Sequence, residues 1–184
     1  MRTRLLVAVT AAALIAGCEQ QAAAPNEVAA INEAAPATAS AERTNAVLGA
    51  AVSGDQAKAL MDERHEGMEE IGDAFKAVNV QLKGSSPDIA AIQKDAATIA
   101  TLAEKSIGWF PPGTGPDVGK TRAKAEIWQK PEDFAAKDKA FQQAAQAFKA
   151  AADSGDINAV KAQAGELGKA CKACHDPYRA PEKH

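Results

Sequence analysis

Cys171-Lys172-Ala173-Cys174-His175 is the stretch from which the rest of the sequence is best read. It has the form C-x-x-C-H, the pattern for covalent attachment of a c-type haem. Two thiols three positions apart lie on nearly one face of a helical turn, within reach of the two vinyl groups of a single porphyrin. The histidine beside the second thiol then meets the iron from the proximal side, where haem iron readily takes imidazole. Two other readings fit less well. A redox-active C-x-x-C wants a βαβ context and a helix N-terminus that lowers a thiol pKa, whereas here a helical pattern runs into the motif. A structural zinc site wants four ligands, usually as two separated pairs. The other histidines are His65 and His184, and no second C-x-x-C exists.

Composition agrees with a helical protein. Hydrophobic residues make up 46 % of the chain, much of it alanine, and aromatics only 4 %. Helices favour alanine, while strands want β-branched and aromatic residues. The expected fold is therefore all-α with a thin core, which a large covalent cofactor helps to fill. A net charge of −3 argues against nucleic acid as a partner.

The N-terminal part reads as an export signal. Arg2 and Arg4 precede an apolar run from Leu5 to Ala16, too short to span a membrane, so residues 1–17 are expected to be a signal peptide. The end of that run, Leu14-Ile15-Ala16-Gly17-Cys18, resembles a bacterial lipobox, in which Cys18 is lipidated and anchors the mature chain to a bacterial membrane. An ordinary signal peptide with an incidental cysteine is the plainer alternative. Residues 18–54 are rich in Ala, Pro, Asn and Gln and poor in bulky apolar side chains, the composition of a flexible tether. Export suits haem attachment, since c-type maturation in bacteria takes place outside the cytoplasm. Both signals place the protein in the periplasm.

Residues 55–180 carry four helical patterns, and 181–184 form a short tail. The first runs from Asp55 to Leu82, with an inward stripe Met61, Arg64, Met68, Ile71, Phe75, Val78, Leu82. Ser86 is the expected N-cap and Pro87 the first position of the second helix, which runs to Ser106 and buries Ile89, Ile92, Ala96, Ile99 and Ala103. The long connection 107–130 holds Trp109, Phe110 and Trp128, so it is expected to be packed down. Pro131 opens the third helix, where Phe134, Phe141 and Phe148 recur every seven residues. Ser154-Gly155-Asp156 turns into the fourth, from Ile157 to Tyr178, whose inner face holds Val160, Ala164, Leu167 and Cys171. Short first and third connections with one long crossover predict an antiparallel four-helix bundle around the cofactor.

Taken together, these residues resemble the class II c-type cytochromes, the cytochrome c-prime and cytochrome c-556 family. The resemblance rests on Cys171 to Arg179, on Arg64 with Met68, on Lys83-Gly84, on Trp109-Phe110-Pro111 and on Glu126-Ile127-Trp128. It covers roughly residues 56–180 and implies one covalent haem c held in a four-helix bundle. Carried over by position, Cys171 and Cys174 form the thioethers and His175 is the proximal ligand. Arg64 and Glu126 line the haem edge, and Arg179 is the basic residue beside the haem. Arg64 also has a physical case, because a charge on an apolar stripe needs a partner and a haem propionate supplies one. The plainer alternative is an arginine that snorkels out of the bundle.

The resemblance makes the sixth iron site decisive for function. Its position matches Met68, whose thioether is a competent ligand opposite histidine and gives a low-spin electron carrier. That is the main expectation, together with redox partner proteins in the periplasm or membrane. In the alternative, Met68 stands at the site without bonding, and five-coordinate iron binds nitric oxide or carbon monoxide. His65 is the lesser candidate ligand, expected to be solvated instead. No residue set points to bond-making catalysis on a substrate, so an enzyme is not expected. The family resemblance also allows a homodimer.

Overall fold

The computed structural model describes residue 52 and residues 54–181. The signal peptide, Cys18 and nearly all of the tether expected from the sequence lie outside the described residues. Among those described, the long elements are α1 (Gly54–Lys83), α2 (Ile89–Lys105), α4 (Pro131–Ser154) and α5 (Ile157–Tyr178). The crossover between α2 and α4 begins with a 3₁₀ turn, Ser106–Trp109, and ends with the single-turn α3 (Glu126–Gln129). No strand occurs among the described residues; one isolated antiparallel bridge joins Ala123 to Arg179.

Helix ends follow their capping chemistry. α2 starts two residues later than Ser86-Pro87 suggested. Asp88 is the N-cap, and its carboxylate accepts from Ala91 N at 3.1 Å. An aspartate oxygen satisfies an orphan amide of the first turn as well as a serine does, so the cap moves past the proline. Asp156 caps α5 in the same way, accepting from Asn158 N at 2.9 Å. Between α4 and α5, Gly155 takes φ 72°, a left-handed cap that glycine adopts without steric cost.

Hydrogen bonds between helices establish direction. Along α2 and α4, Gln93 donates to Ala152 O, and Ser106 meets Asp138. Rising numbers on one helix meet falling numbers on the other, so the two run antiparallel. Tight turns make α1–α2 and α4–α5 antiparallel as well, and α1 therefore runs antiparallel to α5. This is an all-α, antiparallel four-helix bundle. α4 packs most closely on α5, α1 on α2 and α2 on α4 come next, and α1 touches α5 only lightly.

The core holds the aromatic and aliphatic stripes expected of it. Phe134, Phe141 and Phe148 are all buried, as are Ile92, Ala96, Ile99 and Ala103 of α2. On α1 the stripe divides. The buried line is Ala57, Arg64, Gly67, Ile71, Ala74 and Val78. Met61, Met68, Phe75 and Leu82 form a second, half-buried line beside it. The cause is close approach. The Trp109 ring lies on Gly67, where an added Cβ would meet ring carbons at 2.5 and 2.7 Å. Its indole Nε1 donates to Glu63 at 3.1 Å, one turn away.

Gly67→Ala should therefore destabilise the protein by about 1–2 kcal/mol, because overpacking against a buried ring outweighs the helix propensity gained. Gly72→Ala, on the same helix with nothing within 4 Å of the added carbon, should stabilise it by up to about 1 kcal/mol. Urea unfolding of both variants checks the pair, and a stabilised Gly67→Ala would contradict the packing described.

Candidate functional site

The C-x-x-C-H motif occupies the last two turns of α5. Cys171 and Cys174 are half-buried, and neither is in a disulfide. Burial raises the Cys171 pKa. Burial, and then the charge of Asp138, push Cys174 up to about 11. A redox dithiol needs the opposite, a thiol acidified at a helix N-terminus, whereas these lie at a C-terminal end. Among the described residues, no group of three or more His, Cys, Asp or Glu is placed to hold a metal ion such as zinc. His175 follows at the surface of the same turn. Shielding from solvent, then the charges of Arg179 and Arg122, lower its pKa below the usual value. Neutral imidazole is the form that binds iron.

Facing this end of α5, across the lightly packed side of the bundle, is the half-buried line of α1. A Cβ on Gly168 of α5 would lie 3.7 Å from the Phe75 ring. From that contact, seven residues back along α1 and seven forward along α5 reach Met68 and His175. Both helices rise about 1.5 Å per residue, so the two residues stand at one level of the bundle. The seam thus carries two adjacent thiols and an imidazole on one wall, with a thioether and an aromatic ring on the other. That donor set fits a haem c. His65 lies outside the seam, 72 % exposed and 3.5 Å from Glu69.

Arg64, one turn before Met68, is only 5 % exposed. Its guanidinium donates to Trp109 O and Thr114 Oγ1, each at 3.2 Å, and to Thr114 O and Thr121 Oγ1, each at 3.0 Å. It also lies 4.9 Å from the centre of the Phe110 ring. An arginine on an apolar stripe demands partners, and the crossover supplies several. Burial without a carboxylate lowers its pKa to about 10, which leaves it charged at neutral pH.

The crossover in turn reaches α5. Lys124 N donates to Tyr178 O at 2.9 Å and Ala180 N to Arg122 O at 2.8 Å, on either side of the Ala123–Arg179 bridge. This brings Arg122, and Glu126 two residues beyond Lys124, to the end of α5 that carries Arg179. Gly67, Thr114, Thr121 and Arg122 had no signal in the sequence, because single residues in a loop or on a stripe show no period.

Behind Cys174 lies a buried polar group, Asp138, 4 % exposed. Ser106 Oγ is within hydrogen-bonding distance of both the Ala103 carbonyl, at 2.7 Å, and the Asp138 carboxyl. One hydroxyl proton serves only one of them. Ser106 Oγ donates to the ionised Asp138 carboxylate, and when Asp138 is protonated the acid can donate instead and leave the hydroxyl for Ala103; Gln142 Nε2 donates to the other carboxyl oxygen. Burial accordingly raises the Asp138 pKa.

A family model for cytochrome c′ matches residues 59–179. The chain belongs to the cytochrome c′ family. Among curated relatives, cytochrome c′ of Pararhodospirillum photometricum is 34 % identical over 122 residues, which span 66 % of this chain and 97 % of that protein. Cytochrome c-556 of Agrobacterium tumefaciens is 38 % identical over 120 residues, 64 % of this chain and 94 % of that one. The crystal structure of cytochrome c′ from Thermochromatium tepidum superposes with a TM-score of 0.64 at 31 % identity, covering 72 % of this chain and all, 100 %, of that one. A ferrous variant of cytochrome c′ from Alcaligenes xylosoxidans with bound nitric oxide gives 0.63 at 30 % identity, covering 71 % and 100 %. As a member of the cytochrome c′ family, the chain is a c-type haem protein with one covalent haem c.

Asp138→Asn imitates the protonated acid, with an amide to donate to Ser106. A carboxyl whose pKa is raised on folding adds stability below its unfolded value, and that stability is lost as pH rises through the folded value. The variant should match the wild type in acid and exceed it in stability at neutral pH. Unfolding midpoints across that interval check the sign, and a variant less stable than wild type at neutral pH would contradict it.

Proposed function

We propose that this chain is a periplasmic cytochrome c′ that binds small diatomic gases, nitric oxide or carbon monoxide, at five-coordinate iron. Cys171 and Cys174 hold the haem through thioethers, and His175 is the iron ligand on its side of the seam. Met68 would line the opposite wall without bonding to the iron. Haem iron supplies the gas-binding and redox chemistry. The chain would supply the rest: a neutral imidazole, an apolar α1 wall of Met68 and Phe75, and the positive charges of Arg122 and Arg179 beside His175, with Glu126 nearby. A thioether on three rotatable bonds covers the site when it is empty and yields to a small ligand.

The observation that carries this reading is the match to cytochrome c′ along 59–179, together with a structurally similar relative that holds nitric oxide. A methionine-ligated electron carrier is the second reading, favoured by Met68 standing at the level of His175 and by the c-556 relative. The relatives as a group support gas binding better than the ligated form expected from the sequence. Export to the periplasm rests on the N-terminal signal, and a membrane anchor at Cys18 rests on its lipobox-like context. A relative described as having ligand-controlled dimer dissociation supports a homodimer as part of the proposal.

Optical spectra of the mature protein in both oxidation states test the reading. High-spin spectra, with a ferrous form that shifts on adding carbon monoxide, are the expected result. Met68→Ala should leave the spin state unchanged and tighten carbon monoxide binding. Low-spin spectra with a far-red sulfur-to-iron charge-transfer band, lost in Met68→Ala, would overturn gas binding and establish the electron carrier.

A further inference from the structure

We infer that Thr121 is a positioning residue for His175, fastening the helix that carries Met68 to the end of the helix that carries the histidine. The inference rests on the haem site proposed above and adds a residue to which that proposal gives no role.

Thr121 sits in the crossover, in neither helix, and its hydroxyl oxygen has two donors. Arg64 Nη2 reaches it at 3.0 Å from α1, and Ala123 N reaches it at 3.1 Å from the next turn of the crossover. A hydroxyl oxygen has two acceptor sites, so both are in use. On one side the link is charge-assisted and part-buried, which makes it strong and directional. Met68 lies one helical turn beyond Arg64.

On the other side, the segment that Thr121 sets in place is the strip that pairs with the end of α5. Ala180 N donates to Arg122 O at 2.8 Å, Lys124 N donates to Tyr178 O at 2.9 Å, and Arg122 Nε donates to Ala180 O at 3.0 Å. Arg179, inside that bridge, donates its own N–H to the carbonyl of His175 at 2.9 Å. Tyr178 adds a side-chain bond to Asp133 of α4. The last turn of α5 is therefore held from outside the helix, by a strip that one threonine oxygen ties to α1. Displacement of α1 at Met68, and tilt of the imidazole at His175, share that connection.

Such a connection has a measurable consequence, because two sites that bias one element alter each other's energetics reciprocally. The experiment uses the full chain matured with haem, as wild type, Thr121→Val and Thr121→Ser. Valine keeps the shape and removes the acceptor, while serine restores it. In Thr121→Val the iron–histidine stretching band of the ferrous protein should shift, and carbon monoxide affinity should change by about two- to thirtyfold. Thr121→Ser should return both to wild type. A role limited to stability would lower the unfolding midpoint of the valine variant and leave the band unmoved, and that result would overturn the inference.

A second measurement needs no variant. Carbon monoxide binding to the wild-type ferrous protein should change hydrogen-exchange protection at Lys124 N and Ala180 N, and unchanged protection there would also overturn the inference. A wild-type chain with no covalent haem, read by its pyridine haemochrome spectrum, would overturn the haem site and this inference together. Covalent haem with an unmoved band would overturn this inference alone.

Discussion

The light contact between α1 and α5 is the constraint on which the rest of the structure depends. Three sides of the bundle close through small residues, buried aromatics and inter-helix hydrogen bonds. The fourth side keeps a line of larger apolar groups on α1 and two thiols on α5 only half-buried. Apolar surface left in that condition is costly unless something covers it. A flat, mostly apolar group bonded to both thiols is the chemically matched covering. Covalent attachment also holds such a group where a four-helix core, thin in aromatic residues, would otherwise grip it weakly.

Arg64 organises the opposite half of the problem. A connection as long as the crossover has many conformations, and its closure must be offset by specific contacts. The guanidinium supplies four hydrogen bonds to three crossover residues from a buried position. Its lowered pKa records the cost of that burial, yet the group stays charged throughout the neutral range. The Trp109 ring on Gly67 and the bridge to Arg179 then pin the two ends of the same segment.

How much of this was legible in the sequence depended on the range of each interaction. The C-x-x-C-H motif is local chemistry, and it identified the cofactor. Helices followed from period, and the aromatic stripe of α4 lies where its spacing put it. Period cannot rank two adjacent stripes, so it gives Met61, Met68, Phe75 and Leu82 the same depth as Ile71 and Val78, whereas the first four are only half-buried. Which line is deeper depends on Trp109 meeting Gly67 across 42 positions of chain (109 − 67). The partners of Arg64 were hidden for the same reason, since they lie 45 to 57 residues away in a loop. Met68 shows another limit. A sequence reveals that a thioether is a competent ligand, but coordination is decided by sub-ångström geometry and by competition with an open site.

The central claim is that the haem is bonded to the end of α5 through Cys171 and Cys174. Digestion of the mature protein followed by peptide mass mapping tests it most directly. The peptide containing residues 171–175 should carry one haem mass on both thiols and survive acid–acetone extraction with the haem attached. Haem released into the organic phase, with Cys171 and Cys174 free to react with a thiol reagent, would contradict it.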